Sequence, residues 1–388
     1  MKVCFDTFGC RLNRAEALAQ EAGFVSRGWQ TTDSHSEADL IIVRGCSVTA
    51  RAQHDCEKLV EHIISKYPNK RVVVTGCLKE KRNEAILRDL SLDEIPMKTA
   101  RAYLKVQDGC TGNCSFCIVP QFRGRPVSVD FQAVLDKAKR FIDAGYREIV
   151  LTGCNLSLYH SGGKHIAELA DALANLDERC RVRVSSIEPT TAASELVDVM
   201  AENDNICRFL HLPIQSGANV ILNAMRRPYS TRTVEELVNK ALAKMPFLAI
   251  GCDLMTGFPG EGDLEALATR TLFRRFHISR AHIFTFSERP GTVAAMLPNE
   301  VPKEIRRERA RELTEVADAE RTRFAKKMVG RDVEIIVEDE NAVAGWTGEY
   351  LWCRAQHELA ERFRQKRRER VKMRVVKAEG HMLTGRPL

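Results

Sequence analysis

Residues 109–124 read GCTGNCSFCIVPQFRG, and this stretch places three thiols, Cys110, Cys114 and Cys117, within eight residues. A cubane iron–sulfur cluster has four irons, each needing an outside ligand, so a loop with three thiolates leaves one iron open to a further ligand. Zinc sites usually bring a fourth Cys or His close by and prefer paired C-x2-C units, which makes zinc, or three chance thiols, the weaker reading. From residue 103 onward, apolar runs near 103–106, 148–151, 182–185, 209–213, 249–255 and 281–286 alternate with helical stretches. Six such units predict a partial (βα)6 barrel, with its chemistry gathered at the carboxyl ends of the strands. The first strand feeds the three-cysteine loop. The second leads to Thr152, Gly153 and Asn155, the third to Ser185, Ser186 and Glu188, and the fourth carries His211 and Gln215. Asp253 lies on the fifth, with Ser287 and Arg289 after the sixth. Each of these residues also has an ordinary reading as a helix cap or turn residue.

Upstream, Cys10, Cys46 and Cys77 each follow a short hydrophobic run, at 2–8, 40–43 and 72–75. Helical stretches are predicted after each, at 14–26, 50–66 and 79–90. A βαβαβ pattern means a parallel sheet, and ligands of such sheets bind beyond the carboxyl ends of the strands. The three cysteines are therefore expected at one edge, where they could hold a second cluster or else be buried structural thiols.

The ordered signatures TFGCRLNRAE, GCSVTARA, VVTGCL, GCTGNCSFCIVPQFRGR, EIVLTGCN, RVSSIEP, HLPIQSG, MRRPYS, GFPGE and FSERPGT run nearly end to end. On these the chain resembles the methylthiotransferase family of radical S-adenosylmethionine (SAM) enzymes. The resemblance implies an α/β chain of three parts: an amino-terminal domain over 1–95, a radical SAM barrel over 96–328 and a small β-barrel of the TRAM type over 329–388. It implies two 4Fe-4S clusters, the SAM cluster on Cys110, Cys114 and Cys117 and an auxiliary cluster on Cys10, Cys46 and Cys77. SAM contacts are implied at Thr152, Gly153, Asn155, Ser186, Glu188 and Gln215. The implied chemistry is radical insertion of a methylthio group into an unactivated C–H bond, with an electron donor and a sulfur source as partners. Two positions depart from the family pattern: Arg44 replaces the usual Asn two residues before Cys46, and Gly262 replaces the Thr that commonly follows GFPGE.

The chain has 388 residues, room for two or three domains with their own cores. Thirteen cysteines, an odd number, occur with no amino-terminal signal pattern and no apolar run near eighteen residues. A reducing cytoplasm, metal ligation rather than disulfides, and no membrane are the expectation. Cys4, Cys56, Cys154, Cys180, Cys207, Cys252 and Cys353 read as packing or surface residues, with Cys154 alone approaching the active site.

Residues 302–327 read as a solvated Arg- and Glu-rich helix leading out of the barrel. Strand-like runs follow at 333–337, 350–353 and 371–376. From 362 to 388 ten Lys or Arg stand against Glu369 and Glu379, a balance of +8, whereas the whole chain carries +7. The positive excess sits at one end, an electrostatic footprint for phosphate backbones, and Arg367, Arg368, Arg370 and Lys372 are the expected RNA contacts. Trp346, Tyr350 and Trp352 are candidates to stack on bases or to pack the module. TFGCRLN, SSIEP and GWTGEYLWCR most resemble the branch acting on threonylcarbamoyl-adenosine at position 37 of tRNA. The isopentenyl-adenosine branch, the ribosomal-protein aspartate branch and a non-catalytic iron–sulfur RNA-binding protein are the alternatives. The intact three-cysteine loop argues against the last.

Overall fold

The computed structural model describes residues 1–87, 90, 93–356 and 367–388. The amino-terminal unit is a four-stranded parallel sheet in the order Gln30–Thr31, Lys2–Thr7, Leu40–Cys46, Arg71–Cys77. Every residue of Leu40–Cys46 is buried. That is why this strand reads as an unbroken apolar run rather than an alternating one: both of its faces are covered. The helices Arg11–Val25 and Ala50–Lys66 lie where they were expected, the second capped by the Thr49 hydroxyl, which accepts from Ala52 N at 3.2 Å. The third expected helix, at 79–90, does not form among the described residues of that stretch. After Cys77 the chain folds back so that Arg82 pairs with Val74, Asn83 adopts φ +55 and donates to the Val72 carbonyl at 2.9 Å, and only a 3-10 turn, Glu84–Leu87, remains. The short edge strand Gln30–Thr31 has no apolar pattern and escaped the sequence reading.

All six barrel strands are present as Ala102–Lys105, Glu148–Thr152, Arg181–Val184, Phe209–Gln215, Ala249–Thr256 and Ile278–Thr285. They are parallel and pair as two groups of three, with a bridge from Val182 to Ile206 at the junction. Among the described residues no pairing joins the first strand to the sixth, so the barrel is open at that seam. One large apolar cluster, from Ala102 and Leu104 through Phe141, Leu151 and Leu210 to Phe276, fills the layer between strands and outer helices.

The helix Lys303–Lys327 is not merely solvated. Leu313, Ala317, Phe324 and Ala325 are buried along it, and Arg306 is enclosed, donating to the carbonyls of Val301 at 2.6 Å and Phe286 at 3.0 Å. Its charged composition hid this apolar stripe.

The last unit is a closed five-stranded barrel in the order Asp332–Asp339, Ala344–Thr347, Trp352–Ala355, Met382–Pro387, Arg370–Glu379. It is anchored on the central barrel by buried charge. The Glu148 carboxylate accepts from Arg181 Nε at 2.7 Å and Arg183 Nε at 2.8 Å, all three side chains being at most 3% exposed. The same guanidiniums donate onward to carbonyls of the last unit: Arg181 to Glu334 and Trp346, Arg183 to Thr347 and Gly348.

Candidate active site

Each cysteine trio gathers at the carboxyl ends of its own unit's strands. Cys46 and Cys77 are register partners at the ends of adjacent strands. Gly9, at φ +95, brings the Cys10 turn against them: a Cβ there would fall 2.8 Å from Cys46 Sγ, a contact only glycine permits. Asn13 ties this edge together, donating through one amide nitrogen to the carbonyls of Phe8 at 2.9 Å and Gly45 at 2.8 Å. Cys10 is exposed, and the other two thiols are buried.

In the central loop, Gly112 N donates to Cys110 Sγ at 3.1 Å, and a Cβ at Gly112 would fill the space between Cys110 and Cys114, 3.1 and 3.7 Å from the two sulfurs. Arg227 Nη1 donates to Cys114 Sγ at 3.1 Å, and the Asn155 amide reaches Cys110 Sγ at 3.9 Å. Burial pushes the thiols of Cys117 and Cys46 up to about 11. Burial also raises Cys77 and Cys114, against the pull of Arg123 and Arg227 respectively. Such thiols ionise when a cation displaces the proton. Clustered sulfurs, a void only glycine leaves, and N–H donors aimed at sulfur fit an iron–sulfur cluster at each trio.

Arg123, six residues after Cys117, ties the chain flanking the central loop to the amino-terminal trio. Its Nε donates to Cys77 Sγ at 3.0 Å, and its other nitrogens reach Asn13 Oδ1 at 2.8 Å, Glu16 Oε1 at 2.9 Å and Asp108 Oδ1 at 3.1 Å. Glu16 also accepts from Arg44 at 2.7 Å and Lys105 at 2.5 Å. Burial opposes the Glu16 charge, yet Arg123, Arg44 and Lys105 hold its carboxyl below the ordinary range. The departure at Arg44 is thereby accounted for: its charge is neutralised inside this network. Sequence reasoning missed Asn13, Glu16, Arg123 and Arg227. The signal was available, since the first three lie inside quoted motifs and Arg227 inside MRRPYS.

The residues at the barrel's strand ends take different places. The Thr152 hydroxyl donates to the Leu104 carbonyl at 3.3 Å, and a Cβ at Gly153 would collide with Leu156 and Gln107, so both serve to close the strand end. Asn155 N is held by Gln107 Oε1 at 2.9 Å. Glu188 pairs with Arg227, the residue that also touches Cys114. Ser186 is half-buried beside Ser185. Gln215 ends its strand at φ +69, and its Oε1 is buried with no partner among the described residues. An orphaned acceptor on a left-handed backbone at a strand's carboxyl end is what a polar ligand would satisfy, which fits SAM there. Cys154 donates to Asp108 Oδ1 at 3.2 Å, close to the loop as expected, and the remaining six cysteines outside the trios are buried in packing positions.

The basic end divides. Arg368 donates to the carbonyls of Met97, Thr99 and Ala144, and its guanidinium lies 4.1 Å from the Tyr146 ring centroid. Arg370 pairs with Glu334 and donates to Glu178 O and Asn205 Oδ1, both at 3.0 Å. These two fasten the last unit to the central one, a role their place in a basic run did not disclose. Lys372 is 70% exposed with Glu334 at 3.7 Å, and Arg367 lines a cavity. Arg362, Arg364 and Lys366 of the same run lie outside the described residues.

That cavity, of about 750 Å3, lies at the meeting of all three units, with Cys10 and Arg11 on one wall, Tyr103 on another and Trp346 and Tyr350 on a third. Tyr350 is 8% exposed, stacked between Phe209 and Trp346 with ring centroids 4.9 Å apart in both pairs. It packs into the central barrel instead of offering an open face. No helix among the described residues is long and apolar enough to cross a membrane.

Comparison with known proteins agrees with this geometry. Residues 2–95 match the model described as "Uncharacterized protein family UPF0004", and residues 104–273 match the radical SAM superfamily. The threonylcarbamoyladenosine tRNA methylthiotransferase MtaB of Bacillus subtilis (strain 168) is 30% identical over 402 residues, covering 90% of this chain and 89% of that protein. MtaB of Chlamydia pneumoniae is 32% identical over 358 residues, 85% of each. The tRNA-2-methylthio-N(6)-dimethylallyladenosine synthase of Chlorobium limicola is 30% identical over 385 residues, 88% of this chain and 87% of that one. Among solved structures, the radical SAM methyltransferase TsrM of Kitasatospora setae superposes with a TM-score of 0.55 at 12% identity over 76% of this chain and 77% of that one, a likeness of fold. Near-full-length identity to both kinds of relative, on a radical SAM barrel with a three-cysteine loop, means that the chain is an enzyme, a transferase belonging to the radical SAM tRNA methylthiotransferase family.

Proposed function

We propose that this enzyme adds a methylthio group to C2 of N6-threonylcarbamoyladenosine at position 37 of tRNA. Cys110, Cys114 and Cys117 would hold the SAM cluster, and Cys10, Cys46 and Cys77 an auxiliary 4Fe-4S cluster. Held there, the clusters and SAM would relay an electron from the donor and supply the radical chemistry that an aromatic C–H bond, with no acidic proton, requires, together with a place to hold the sulfur to be transferred. The chain's own residues bind and orient. Asn155 and, through Arg227, Glu188 reach the three-cysteine loop, and with Gln215 and Ser186 at neighbouring strand ends they would contact SAM, with Thr152 and Gly153 shaping the strand end beneath. Arg227 and Asn155 donate toward the loop's sulfurs. The observation that carries the reading is Arg123, which closes the short helix after the three-cysteine loop and donates from its guanidinium to Cys77 of the other trio, a contact that supports the two trios serving one substrate. Exposed Cys10 on the wall of the adjoining cavity supports entry of a base from that side.

Three parts, 1–95, 96–328 and 329–388, fit this division of labour, the last contributing Arg367 and Lys372 toward the tRNA backbone. An electron donor and a sulfur source complete the partners, and a cytoplasmic setting suits a tRNA substrate. The choice of the threonylcarbamoyl over the isopentenyl side chain is supported by the MtaB relatives and by the cationic cavity wall beside Cys10. Mass spectrometry of tRNA nucleosides from cells lacking the chain tests it. Loss of the 2-methylthio form of threonylcarbamoyladenosine is expected, and loss of the isopentenyl product instead would transfer the assignment to the other branch.

A further inference from the structure

The cavity beside Cys10 has an unbalanced charge. Of its cations, Lys98 pairs with Glu21 and Asp33, and Arg101 with Glu338 at 2.6 Å. The guanidinium groups of Arg11, Arg14 and Arg367 have no carboxylate partner among the described residues; Arg14 lies over the Tyr103 ring, and Arg367 meets Glu340 only through its backbone N–H. Arg11 is half-buried, and its guanidinium donates to the Tyr350 hydroxyl at 3.0 Å and the Ser185 hydroxyl at 3.4 Å, both neutral groups. Tyr350 itself is held at φ +65, a backbone conformation that a bulky aromatic rarely adopts and that marks a constrained site. Burial would raise its phenol, yet Arg11, Arg101 and Arg183 outweigh that and bring it down to about 8, which reports the same excess of positive charge. A half-buried guanidinium with only neutral partners is a receptor for an anion, best for a planar carboxylate that can accept two N–H groups at once.

The chemistry of the substrate says which anion. In adenine, C2 and C6 flank the same ring nitrogen, so a base whose C2 faces sulfur held at the Cys10 edge turns its N6 substituent along that same edge. Arg11 directly follows Cys10. A threonylcarbamoyl substituent ends in a carboxylate, whereas an isopentenyl substituent ends in two methyl groups and would leave the arginine charge desolvated and unpaired. Resting on the function proposed above, we propose that Arg11, together with the Tyr350 hydroxyl, receives the carboxylate of the N6-threonylcarbamoyl side chain and is the specificity-determining pair of this enzyme. The sequence places the reader of the side chain one residue from a ligand of the auxiliary cluster, and the fold brings the last unit's tyrosine to meet it.

The test uses the full chain, reconstituted with iron and sulfide, on anticodon stem-loops carrying threonylcarbamoyladenosine, its methyl ester or isopentenyladenosine. Turnover is measured with SAM and reductant, and stem-loop affinity by fluorescence anisotropy without SAM. A charge-assisted hydrogen-bonded contact implies that esterification raises KM and Kd about tenfold or more in the native enzyme, with a smaller effect on kcat. Arg11→Gln should weaken the free acid by a similar factor and no longer distinguish acid from ester, and Arg11→Lys should recover part of the distinction. Native enzyme indifferent to the ester, or Arg11→Gln that keeps the native acid-to-ester ratio, overturns the proposal. Iron content is measured on each variant. Should Arg11→Gln fail to load iron, Tyr350→Phe carries the same comparison, an undiminished ratio again being the overturning result. Native enzyme that modifies the isopentenyl stem-loop and ignores the threonylcarbamoyl one would instead defeat the substrate reading itself, irrespective of Arg11.

Discussion

Replacing Glu148 by Gln should loosen the last unit from the barrel without touching either cysteine trio. The carboxylate is fully buried and faces three arginines: Arg183 at 2.8 Å, Arg181 at 2.6 Å and Arg101 at 3.8 Å. Burial works against its charge, but Arg183, Arg181 and Arg101 prevail and hold the carboxyl far below its usual range. A group whose folded pKa is depressed contributes stability that is present above its unfolded pKa and lost only as pH falls through the folded one. The contribution is therefore in full force at neutral pH and survives into strong acid. Removing the charge leaves the arginines enclosed around a neutral amide. Breaking a buried pair in this way costs about 3–5 kcal/mol. Arg181 and Arg183 also carry four hydrogen bonds to the last unit, so the loss falls on the joint between units. For a domain of this size the melting midpoint should drop by on the order of 10 °C. Calorimetry on native and variant chains, with limited proteolysis between residues 328 and 344, reads it directly. An unchanged midpoint and an unchanged cleavage rate would refute the view that this cluster fastens the units. Partial recovery of the midpoint in the double variant that also replaces Arg183 by Met, which strands one arginine fewer but gives up two of those four hydrogen bonds, would show that part of the cost lies in the stranded charge.

Changing Cys110, Cys114 and Cys117 together to Ala should halve bound iron and abolish SAM cleavage. The Cys10, Cys46 and Cys77 triple variant should also lose half the iron yet keep some 5′-deoxyadenosine formation, and full iron retention in either would dismiss that trio as a ligand set. Arg123→Gln, which removes the donor to Cys77 and a partner of Glu16, should reduce methylthio product at least about tenfold, by loss of a charged hydrogen bond at the junction, while SAM cleavage persists. Equal loss of both activities would assign Arg123 to the three-cysteine loop alone. Tyr350, with its phenol lowered to about 8, should ionise well before free tyrosine, visible as ultraviolet absorbance of the phenolate. Because its folded pKa is the lower one, native stability relative to Tyr350→Phe should rise between about pH 8 and 10 and show no difference in slope at more acidic pH. Arg367 and Lys372 changed to Gln should flatten the salt dependence of tRNA binding by about one unit for each phosphate no longer neutralised, whereas Arg368→Gln and Arg370→Gln should lower the melting midpoint instead.

Both cysteine trios and all six barrel strands were legible in the sequence, because continuous apolar runs of β-branched residues and fixed loop spacings are local signals. The third amino-terminal helix was misread for the same reason: its composition suits a helix, but Arg82 finds a strand partner in Val74 and Asn83 takes a left-handed turn. Pairing between strands overrides propensity when the partner is already in place. The helix Lys303–Lys327 hid its buried stripe behind charges that are themselves paired, as Arg306 is with Glu288 and Glu300.

The order of residues along the chain already specifies the chemistry available: two sets of three thiols, a barrel to present one, a parallel sheet to present the other, and a basic end. Which of those basic residues meet solvent and which fasten units together emerges only in the packed chain. Arg367 and Lys372 remain at the surface or the cavity, while Arg368 and Arg370 find carbonyls and carboxylates contributed by segments up to 271 residues away. The convergence of Arg11, Ser185 and Tyr350 is of the same kind, joining residues separated by 174 and 339 positions. Local spacing encodes what one loop or one strand end can ligate. Charge balance depends on which distant groups come within a few ångströms, and tertiary packing alone sets those distances.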